Sequence, residues 1–239
     1  MTGGSRGIGA AIVERLAAEG FEVTFTYVND ERSAEHTERR AQAGGGVAHA
    51  VRADLTDLAS IEALLATIPG PRLPHLDVVV NNAAIATPVT PIAETTLDTW
   101  RDNLTIAATA PFLIIKHAIA HLRPGAAMIN ISTINTSTQP AAGVAAYVAG
   151  KGALEQLTRI AAIELGPHDV TVNAVRPGPT DTDMQRAANP DPRTRERIAD
   201  ATPMRRFGRP DDVADVVAFL AGPQARWITG QTLTASGGL

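Results

Sequence analysis

The strongest constraint on the fold is the regular alternation, along the whole chain, of short apolar runs with longer stretches of helical periodicity. The short runs are rich in Val, Ile, Phe and Thr and are bounded by Gly, Pro or Asp, a pattern typical of strands. They predict strands at residues 23–28, 47–51, 76–80, 126–131, 170–175 and 231–234. Apolar residues spaced along one helical face predict helices at residues 8–19, 31–42, 58–68, 97–122, 145–165 and 211–220.

The apolar runs lack the polar alternation of a half-exposed strand, as Val78, Val79 and Val80 show. Strands of this kind belong in parallel sheets that helices cover on both faces. Together with the alternation of strands and helices, they predict an α/β fold with a doubly wound parallel sheet in a three-layer αβα sandwich. No repeat or long Pro/Gly/Ser linker divides the chain, so we expect residues 1–239 to form a single domain.

The least regular part of the chain is residues 177–210, which are interrupted by several prolines. These prolines are Pro179, Pro190, Pro192 and Pro203. Because a long loop in a compact domain is usually functional or disordered, we expect a mobile substrate lid at about residues 181–206. The candidates for lining a substrate site there are Met184, Ile198, Met204 and Phe207.

Composition excludes several classes of protein and of site. Hydrophobic residues make up 44% of the chain and charged residues 19%, which is typical of a soluble globular protein. The net charge of -4 gives no basic surface for a nucleic acid, and no run of ~18 apolar residues predicts a membrane span. The absence of cysteine excludes thiolate metal sites, and the histidines show no metal-ligand spacing. Residues 1–9 lack the apolar core of a signal peptide, so we expect a cytoplasmic protein. From the composition we expect no metal, membrane or nucleic-acid partner.

A glycine-rich segment, residues 2–9, leads directly into the first predicted helix. Glycine lets a phosphate approach the backbone, and the N–H groups at a helix start favour an anion. The spacing is not that of an NTPase phosphate loop, and a flexible N-terminal tail is the alternative interpretation. A nucleotide-binding turn should also follow a strand, yet only Met1 precedes Thr2. Either the first strand lies upstream of this numbering, or the fold lacks a central strand.

Tyr147 and Lys151 are four residues apart on a predicted helix, so their side chains are neighbours on one face. The chain contains only two tyrosines and two lysines, against many arginines. A cation at ~4 Å with an effective dielectric constant of ~20 contributes about 4 kcal/mol, enough to lower a tyrosine pKa of ~10 by about three units. The pair therefore predicts a proton-transfer site, and an amphipathic helix with a surface lysine is the alternative.

The tyrosine–lysine pair is one of seven motifs that follow one another in a definite order. They are Thr2-Gly3-x-x-x-Gly7-Ile8-Gly9, Asp54, Asn81-Asn82-Ala83-Ala84, Asn103, Ser132-Thr133, Tyr147-x-x-x-Lys151 and Val172-Asn173-Ala174-Val175-Arg176-Pro177-Gly178 with Thr180 and Thr182. Over essentially the whole chain they resemble the short-chain dehydrogenase/reductase family, and the chain is similar to bacterial 3-oxoacyl-carrier-protein reductases. The resemblance implies a Rossmann-type fold.

The resemblance also implies roles for polar residues of these motifs. Tyr147 would be the general acid for carbonyl reduction and the base for alcohol oxidation. Lys151 would hold the nicotinamide ribose and lower the pKa of Tyr147, and Asn103 would hold a water molecule for proton relay.

A hydroxyl group after the strand at residues 126–131 would hydrogen-bond the substrate oxygen as charge develops on it. The family commonly has a serine thirteen residues before the tyrosine, where this chain has Ile134. Alignment on the preceding strand gives this role to Thr133, and Ser132 is the alternative. The remaining hydroxyl residues, which we interpret as solvated loop residues, are Thr136, Ser137 and Thr138.

The dinucleotide-binding residues implied by the resemblance are Gly3, Ser5, Arg6, Gly7, Ile8, Gly9, Tyr27, Asn29, Asp54, Leu55, Asn81, Ala83, Tyr147, Lys151, Pro177, Gly178, Thr180 and Thr182. NAD-binding proteins of this fold have an acidic residue at the end of the second strand, which binds the ribose 2′-OH. Here Tyr27 has that place, and Asp30 is expected to begin the next helix instead. NADP(H) is therefore favoured over NAD(H). The candidates to face a 2′-phosphate are Arg6, Asn29 and Arg32.

The resemblance implies an oxidoreductase that reduces a small-molecule carbonyl to an alcohol, or the reverse, by hydride transfer. The alternative is a catalytically silent dinucleotide-binding regulator or scaffold with the same fold. The intact Tyr147, Lys151 and Asn103 argue against that alternative, whereas loss of the first strand would favour it. The long helices at residues 97–122 and 145–165 resemble those that build the family's tetramer, so we expect a homotetramer, with a dimer as the alternative.

Overall fold

The computed structural model describes residues 1–68, 70, 74–137 and 141–239. Its strands are Glu22–Tyr27 (β1), Val47–Arg52 (β2), Leu76–Asn81 (β3), Leu122–Ile131 (β4), Thr171–Pro177 (β5) and Thr232–Ala235 (β6). Its α-helices are Gly7–Ala18 (α1), Glu31–Ala43 (α2), Leu58–Leu65 (α3), Leu97–Leu104 (α4), Ala110–Ala118 (α5), Ala145–Leu165 (α6), Asp183–Ala188 (α7), Pro192–Ala201 (α8) and Pro210–Ala221 (α9). Short 3-10 turns are Ile92–Glu94, Ile119–His121, Ile134–Thr136, Gly166–His168 and Pro223–Ala225.

The strands are parallel and form two groups, β1 with β2, and β3, β4, β5 and β6 in that order. The start of the chain lies between the groups. The Met1 amino group donates to the carbonyl oxygen of Thr24 (2.8 Å), and the Thr26 N–H donates to that of Met1 (3.0 Å). On the other side, the Thr2 N–H donates to the carbonyl oxygen of Val80 (2.9 Å). Within the described residues no strand precedes α1, and Met1 and Thr2 link β1 to β3 in its place.

Helices cover both faces of the sheet, because alternate residues of each strand point to opposite faces. On one face, α1 and α9 pack together over Ile129, Ile131 and Val175. On the other face, α5 and α6 pack over Met128 and Val172, both of which are fully buried. This arrangement confirms the predicted three-layer αβα sandwich around a parallel sheet.

Residues 177–210 differ from the irregular segment that their prolines predict. The structure has two helices there, α7 and α8. The Thr182 hydroxyl accepts a backbone N–H of α7 (3.2 Å), and the Asp191 carboxylate accepts N–H groups of α8. Pro192 is the first residue of α8, a position where a helix needs no N–H donor. The irregularity prediction is wrong because this proline begins a helix instead of breaking one.

The long helix predicted at residues 97–122 is interrupted. A π-helical turn, Thr105–Thr109, separates α4 from α5, and the helical stretch ends at His121 where β4 begins. In the parts of the chain that the structure describes, Leu97–His121 is the one helix long and apolar enough, by length and composition alone, to cross a membrane. Core helices of globular proteins pass the same test, and α4 and the π turn pack against α6 within the sandwich.

Candidate active site

The glycine-rich turn lies against the carboxyl end of β3. The Thr2 hydroxyl oxygen accepts the N–H groups of Asn82 (3.0 Å) and Ala83 (3.1 Å). In return, Nδ2 of Asn82 donates to the carbonyl oxygens of Thr2 (3.1 Å) and Gly3 (2.8 Å). These hydrogen bonds fix the turn at the edge of the sheet and bring the predicted site residues Gly3 and Ala83 together. Asn82 is missing from the predicted site, although it belongs to one of the motifs.

Two glycines of this turn leave no room for a side chain. Gly7 has φ of +55°, and a Cβ there would lie 3.2 Å from Cγ2 of Thr182, which follows β5. A Cβ on Gly9 would lie 1.9 Å from the carbonyl oxygen of Gly3. Arg6 precedes α1 without a side-chain cap, so the first N–H groups of the helix keep their capacity to bind an anion. A cradle that a Cβ would fill, at an uncapped helix start, fits the pyrophosphate of a dinucleotide.

The segment after β1 carries both signs of charge. Asp30 caps α2, as predicted, and its carboxylate accepts the N–H (3.0 Å) and the hydroxyl (2.6 Å) of Ser33. These hydrogen bonds lower the pKa of Asp30, and the nearby charges of Arg6 and Arg32 lower it further. Two exposed guanidinium groups therefore lie close to the end of β1, where exposed Asn29 also lies. Guanidinium groups of this kind form charge-assisted hydrogen bonds with phosphates.

Asp54 and Leu55 follow β2. Oδ1 of Asp54 accepts the N–H (2.9 Å) and the hydroxyl (2.7 Å) of Thr56, and its N–H donates to Oγ of Ser60 (2.8 Å). Leu55 is buried in a cluster with Ala53. The structure gives these residues roles in a turn and in packing, and their contact with a cofactor stays a prediction.

Tyr147 and Lys151 lie one turn apart on α6, near the end of β4. The Thr133 hydroxyl lies near enough to the Tyr147 phenol to act on its pKa, and Nζ of Lys151 donates to the carbonyl oxygen of Ile131 (2.7 Å). Burial lowers the pKa of Lys151 to about 8. Burial also raises the pKa of Tyr147, against the opposing effect of the Thr133 hydroxyl. The predicted lowering of the Tyr147 pKa by Lys151 is therefore wrong for this structure, because desolvation dominates.

The two candidate hydroxyl groups point to different partners. Oγ of Ser132 donates to Oε1 of Glu155 (2.5 Å) inside the protein. The Thr133 hydroxyl instead faces Tyr147 closely enough to affect its pKa, and it accepts the N–H of Asn135 (3.3 Å). The structure therefore brings Thr133, and not Ser132, to the tyrosine.

A buried ion pair behind these hydroxyl groups was not predicted from the sequence. Nε and Nη2 of Arg176 donate to the two carboxylate oxygens of Glu155, at 2.8 and 2.6 Å. Burial acts to raise the pKa of Glu155, but hydrogen bonds from Arg176, Ser132 and Thr136 bring it below its ordinary value. Glu155 comes four residues after Lys151 and so lies on the same helical face. This spacing is the sequence feature that could have identified Glu155 as part of the site.

Thr136 belongs to the same cluster, since its hydroxyl lies 2.5 Å from Oε1 of Glu155. The interpretation of Thr136 as a solvated loop residue is therefore wrong. Ser137 is half-buried, and Thr138 lies outside the described residues.

Asn103 is buried in the last turn of α4, which precedes the π turn. Its Nδ2 donates to the carbonyl oxygen of Thr99 (2.8 Å). Gly150 of α6 packs against it so closely that a Cβ on this glycine would lie 2.9 Å from the carbonyl oxygen of Asn103. π turns are frequent at functional sites because they disturb the regular hydrogen bonding of a helix. The structure thus places Asn103 on the helix that packs against α6, which carries Tyr147.

The other predicted residues lie at the ends of β3 and β5. Asn81 is buried, and its Nδ2 donates to Oδ1 of Asn130 (2.8 Å), while its own Oδ1 has no partner among the described residues. Gly178 continues from β5, and its carbonyl oxygen accepts the hydroxyl of Thr180 (2.9 Å). No group of three His, Cys, Asp or Glu residues that could hold a metal occurs within the described ranges.

Comparisons with known proteins agree with this geometry. A family profile described as enoyl-(acyl carrier protein) reductase matches residues 3–239. The 3-oxoacyl-[acyl-carrier-protein] reductase FabG of Staphylococcus aureus is 34% identical over 241 residues, covering 100% of this chain and 96% of that protein. A short-chain dehydrogenase/reductase from Serratia marcescens has 37% identity and a TM-score of 0.91, covering 99% of this chain and 95% of that one. The angucycline C-6 ketoreductase LanV with bound NADP has 33% identity and a TM-score of 0.90, covering 99% and 93%. The chain belongs to the short-chain dehydrogenase/reductase family.

Proposed function

We propose that this oxidoreductase uses NADP(H) to interconvert a small-molecule carbonyl and its alcohol, with Tyr147 as the general acid and base. The observation that carries the proposal is the placement of Tyr147 near the Thr133 hydroxyl, one helical turn from the buried Lys151, whose Nζ donates to the carbonyl oxygen of Ile131 at the end of β4. These groups come from α6 and from the end of β4, at the edge of the sheet where the glycine turn also lies. The ketoreductase LanV, a structural neighbour, is described with bound NADP.

The chain's own groups have separate tasks in this reaction. When bound, NADP(H) supplies or accepts the hydride. Tyr147 donates its phenolic proton to the carbonyl oxygen during reduction and removes the proton during oxidation. The Thr133 hydroxyl donates a hydrogen bond to the same oxygen as negative charge develops there. Lys151 would hold the nicotinamide ribose of the bound cofactor.

Preference for NADP(H) over NAD(H) is proposed from the charges after β1. Arg6 and Arg32 both act on Asp30, whose carboxylate is engaged by Ser33 in capping α2. A 2′-phosphate placed there would meet two guanidinium groups, whereas no carboxylate occurs between Val23 and Asn29 for a ribose 2′-OH. The comparison of KM for NADPH and NADH in the protein and in its Arg32→Ala variant tests this preference.

The test of the reaction measures loss of NADPH absorbance with a panel of aldehydes, diketones and aromatic ketones. We expect Tyr147→Phe to reduce turnover at least about 100-fold while NADPH still binds, as its fluorescence enhancement would show. Thr133→Val should lower kcat more strongly than Ser132→Ala, because Ser132 hydrogen-bonds to Glu155. Lys151→Met should lower activity, whereas Lys116→Met, which changes the other and exposed lysine, should not.

Two outcomes would contradict the proposal. Turnover that survives Tyr147→Phe would remove this residue as the acid. NADPH binding without oxidation of NADPH by any substrate of the panel would support the catalytically silent regulator instead.

A further inference from the structure

One face of α6 connects Tyr147 to the buried ion pair behind the hydroxyl groups. Tyr147, Lys151 and Glu155 follow one another at intervals of four residues, so their side chains lie along the same side of the helix. Lys151 donates to the carbonyl oxygen of Ile131, the last residue of β4, and Glu155 accepts from Ser132, the next residue of the chain. A single helix therefore carries both the proposed acid and the groups that hold the chain where it leaves β4.

The chain after β4 is held by two hydroxyl groups, one on each side of Thr133. Oγ of Ser132 donates to Oε1 of Glu155 (2.5 Å). The Thr136 hydroxyl lies 2.5 Å from the same carboxylate oxygen and 2.7 Å from the carbonyl oxygen of Thr133. Thr133 lies between these two contacts, and its own hydroxyl faces Tyr147 closely enough to affect the pKa of the phenol.

Arg176 of β5 fixes the orientation of the Glu155 carboxylate. Nε and Nη2 of Arg176 donate to its two oxygens, and Nε also donates to the Thr136 hydroxyl oxygen (3.0 Å). A two-point contact between a guanidinium and a carboxylate restricts geometry as well as adding energy. Because a buried ion pair is weak evidence for net stability when compared with apolar packing, its geometric effect is the more informative feature here.

The spacing along the chain does not by itself place the Thr133 hydroxyl. Thr133 comes fourteen residues before Tyr147, one more than the spacing common in the family. The 3-10 turn Ile134–Thr136 follows Thr133 directly, and Thr136 is its last residue. The contacts of Ser132 and Thr136 with Glu155 therefore fix both ends of the short segment that contains Thr133.

We propose that Glu155 and Arg176 are positioning residues for the reaction. By holding Ser132 and Thr136, they present the Thr133 hydroxyl to the same substrate oxygen to which Tyr147 donates its proton. This inference rests on the proposed function, and it assigns the buried pair an effect on catalysis in addition to any effect on stability.

The test removes the Thr136 hydroxyl while leaving the ion pair in place. We expect Thr136→Val to lower kcat for a ketone about tenfold, because a small displacement of an aligned group slows a reaction strongly. The KM for NADPH should stay within about twofold of the parent value, since the glycine turn is untouched. Thr136→Ser, which restores a hydroxyl group, should recover most of the lost kcat. A kcat of Thr136→Val equal to that of the parent would overturn the proposal.

A double variant separates positioning from general support of the structure. If Thr136 acts through Thr133, Thr133→Val with Thr136→Val should be no more than about twofold slower than Thr133→Val alone. A double variant that is slower by the full factor of Thr136→Val would overturn the proposal, because the two residues would then act independently.

Glu155→Gln tests the carboxylate itself, and it should also lower kcat. Its matched control is Glu164→Gln, which changes an exposed carboxylate of the same helix and should leave kcat unchanged. If Glu155→Gln does not fold, the Thr136 variants test the same contact. Equal kcat values for the two glutamine variants would contradict a role of Glu155 in positioning.

Crystal structures of the parent and of Thr136→Val give a measurement that does not depend on turnover. We expect the Thr133 hydroxyl to move away from the Tyr147 phenol in the variant. An unmoved Thr133 would overturn this inference even if the parent reduces ketones, so the proposed function would stand without it. A parent that reduces no carbonyl would instead refute the proposed function, and with it any role of the cluster in catalysis.

Discussion

At the scale of residues, Glu155 is the centre of the cluster behind Thr133, because its carboxylate accepts hydrogen bonds from three side chains. We predict that Glu155→Gln lowers the free energy of unfolding by about 2 kcal/mol, because part-buried Arg176 loses its charged partner. Urea unfolding measures this change. The matched control is Asp183→Asn, which removes a partner of exposed Arg186 and should change stability little. Equal losses in the two variants would contradict a special role for the buried pair.

The same residue predicts a dependence of stability on acid. The pKa of Glu155 lies below its ordinary value of 4.5 in the folded protein, so the unfolded chain binds more protons as pH falls. Its contribution is therefore fully present above the unfolded pKa and is lost as pH falls through the lowered pKa. Glu155→Gln should flatten this part of the pH profile of unfolding. An unchanged slope would show that other carboxylates determine it.

The tyrosine, the lysine and both candidate hydroxyl residues could be found in the sequence, because their types and spacing are visible there. Which hydroxyl meets the tyrosine could not be found. Ser132 and Thr133 are adjacent on a chain leaving β4, so they point in different directions, and only Glu155 on α6 decides which of them is withdrawn from the site. The pKa of Tyr147 was missed for a related reason, since spacing gives the neighbouring charge but not the burial.

At the scale of elements, the contact between α6 and α4 depends on one glycine. A Cβ on Gly150 would lie 2.9 Å from both the carbonyl oxygen of Asn103 and Cβ of Ala107. We predict that Gly150→Ala lowers the free energy of unfolding by about 1–3 kcal/mol through overpacking and lowers kcat by displacing Asn103. On the same helix, Gly152→Ala meets no atom within 4 Å. It should raise stability by up to about 1 kcal/mol through helix propensity and leave kcat unchanged.

Urea unfolding and steady-state kinetics of the two alanine variants measure these effects. If the two variants behave alike, the close packing at Gly150 does not control the position of α4.

The order of strands and helices could be predicted because apolar periodicity repeats along the chain, and each predicted strand has a counterpart in the structure. The helices α7 and α8 could not, because Pro192 is at once a helix breaker and a good first residue of a helix. The π turn Thr105–Thr109 could not be predicted either, because it lies where the chain packs against Gly150 of another helix, a contact that local sequence does not show.

At the scale of the whole molecule, in a sample whose chain starts at Met1, the amino group of Met1 couples global stability to pH. Its pKa falls from 8.0 to about 6 in the folded chain because of burial, so the unfolded chain binds more protons between these values. Stability should therefore rise with pH from about 6 to 8, by at most about 2 kcal/mol since Met1 is only part-buried. Unfolding free energies across this range, with and without acetylation of Met1, measure the effect.

Acetylation removes the charge of the Met1 amino group. A slope between pH 6 and 8 that survives acetylation would contradict the role of Met1.

Exposed apolar side chains on α5 and α6 carry the last prediction, that the protein is a homotetramer. Phe112 on α5 and Ile160 and Ile163 on α6 are each at least half exposed, and Ile163 is 73% exposed. Exposed apolar side chains that form one contiguous patch mark an interaction site. We expect Ile163→Glu to reduce the mass found by light scattering, because a charge would be buried at the interface. Leu58→Glu, at a similarly exposed site on α3, should leave the mass unchanged, and a parent protein with the mass of a monomer or a dimer would refute the prediction.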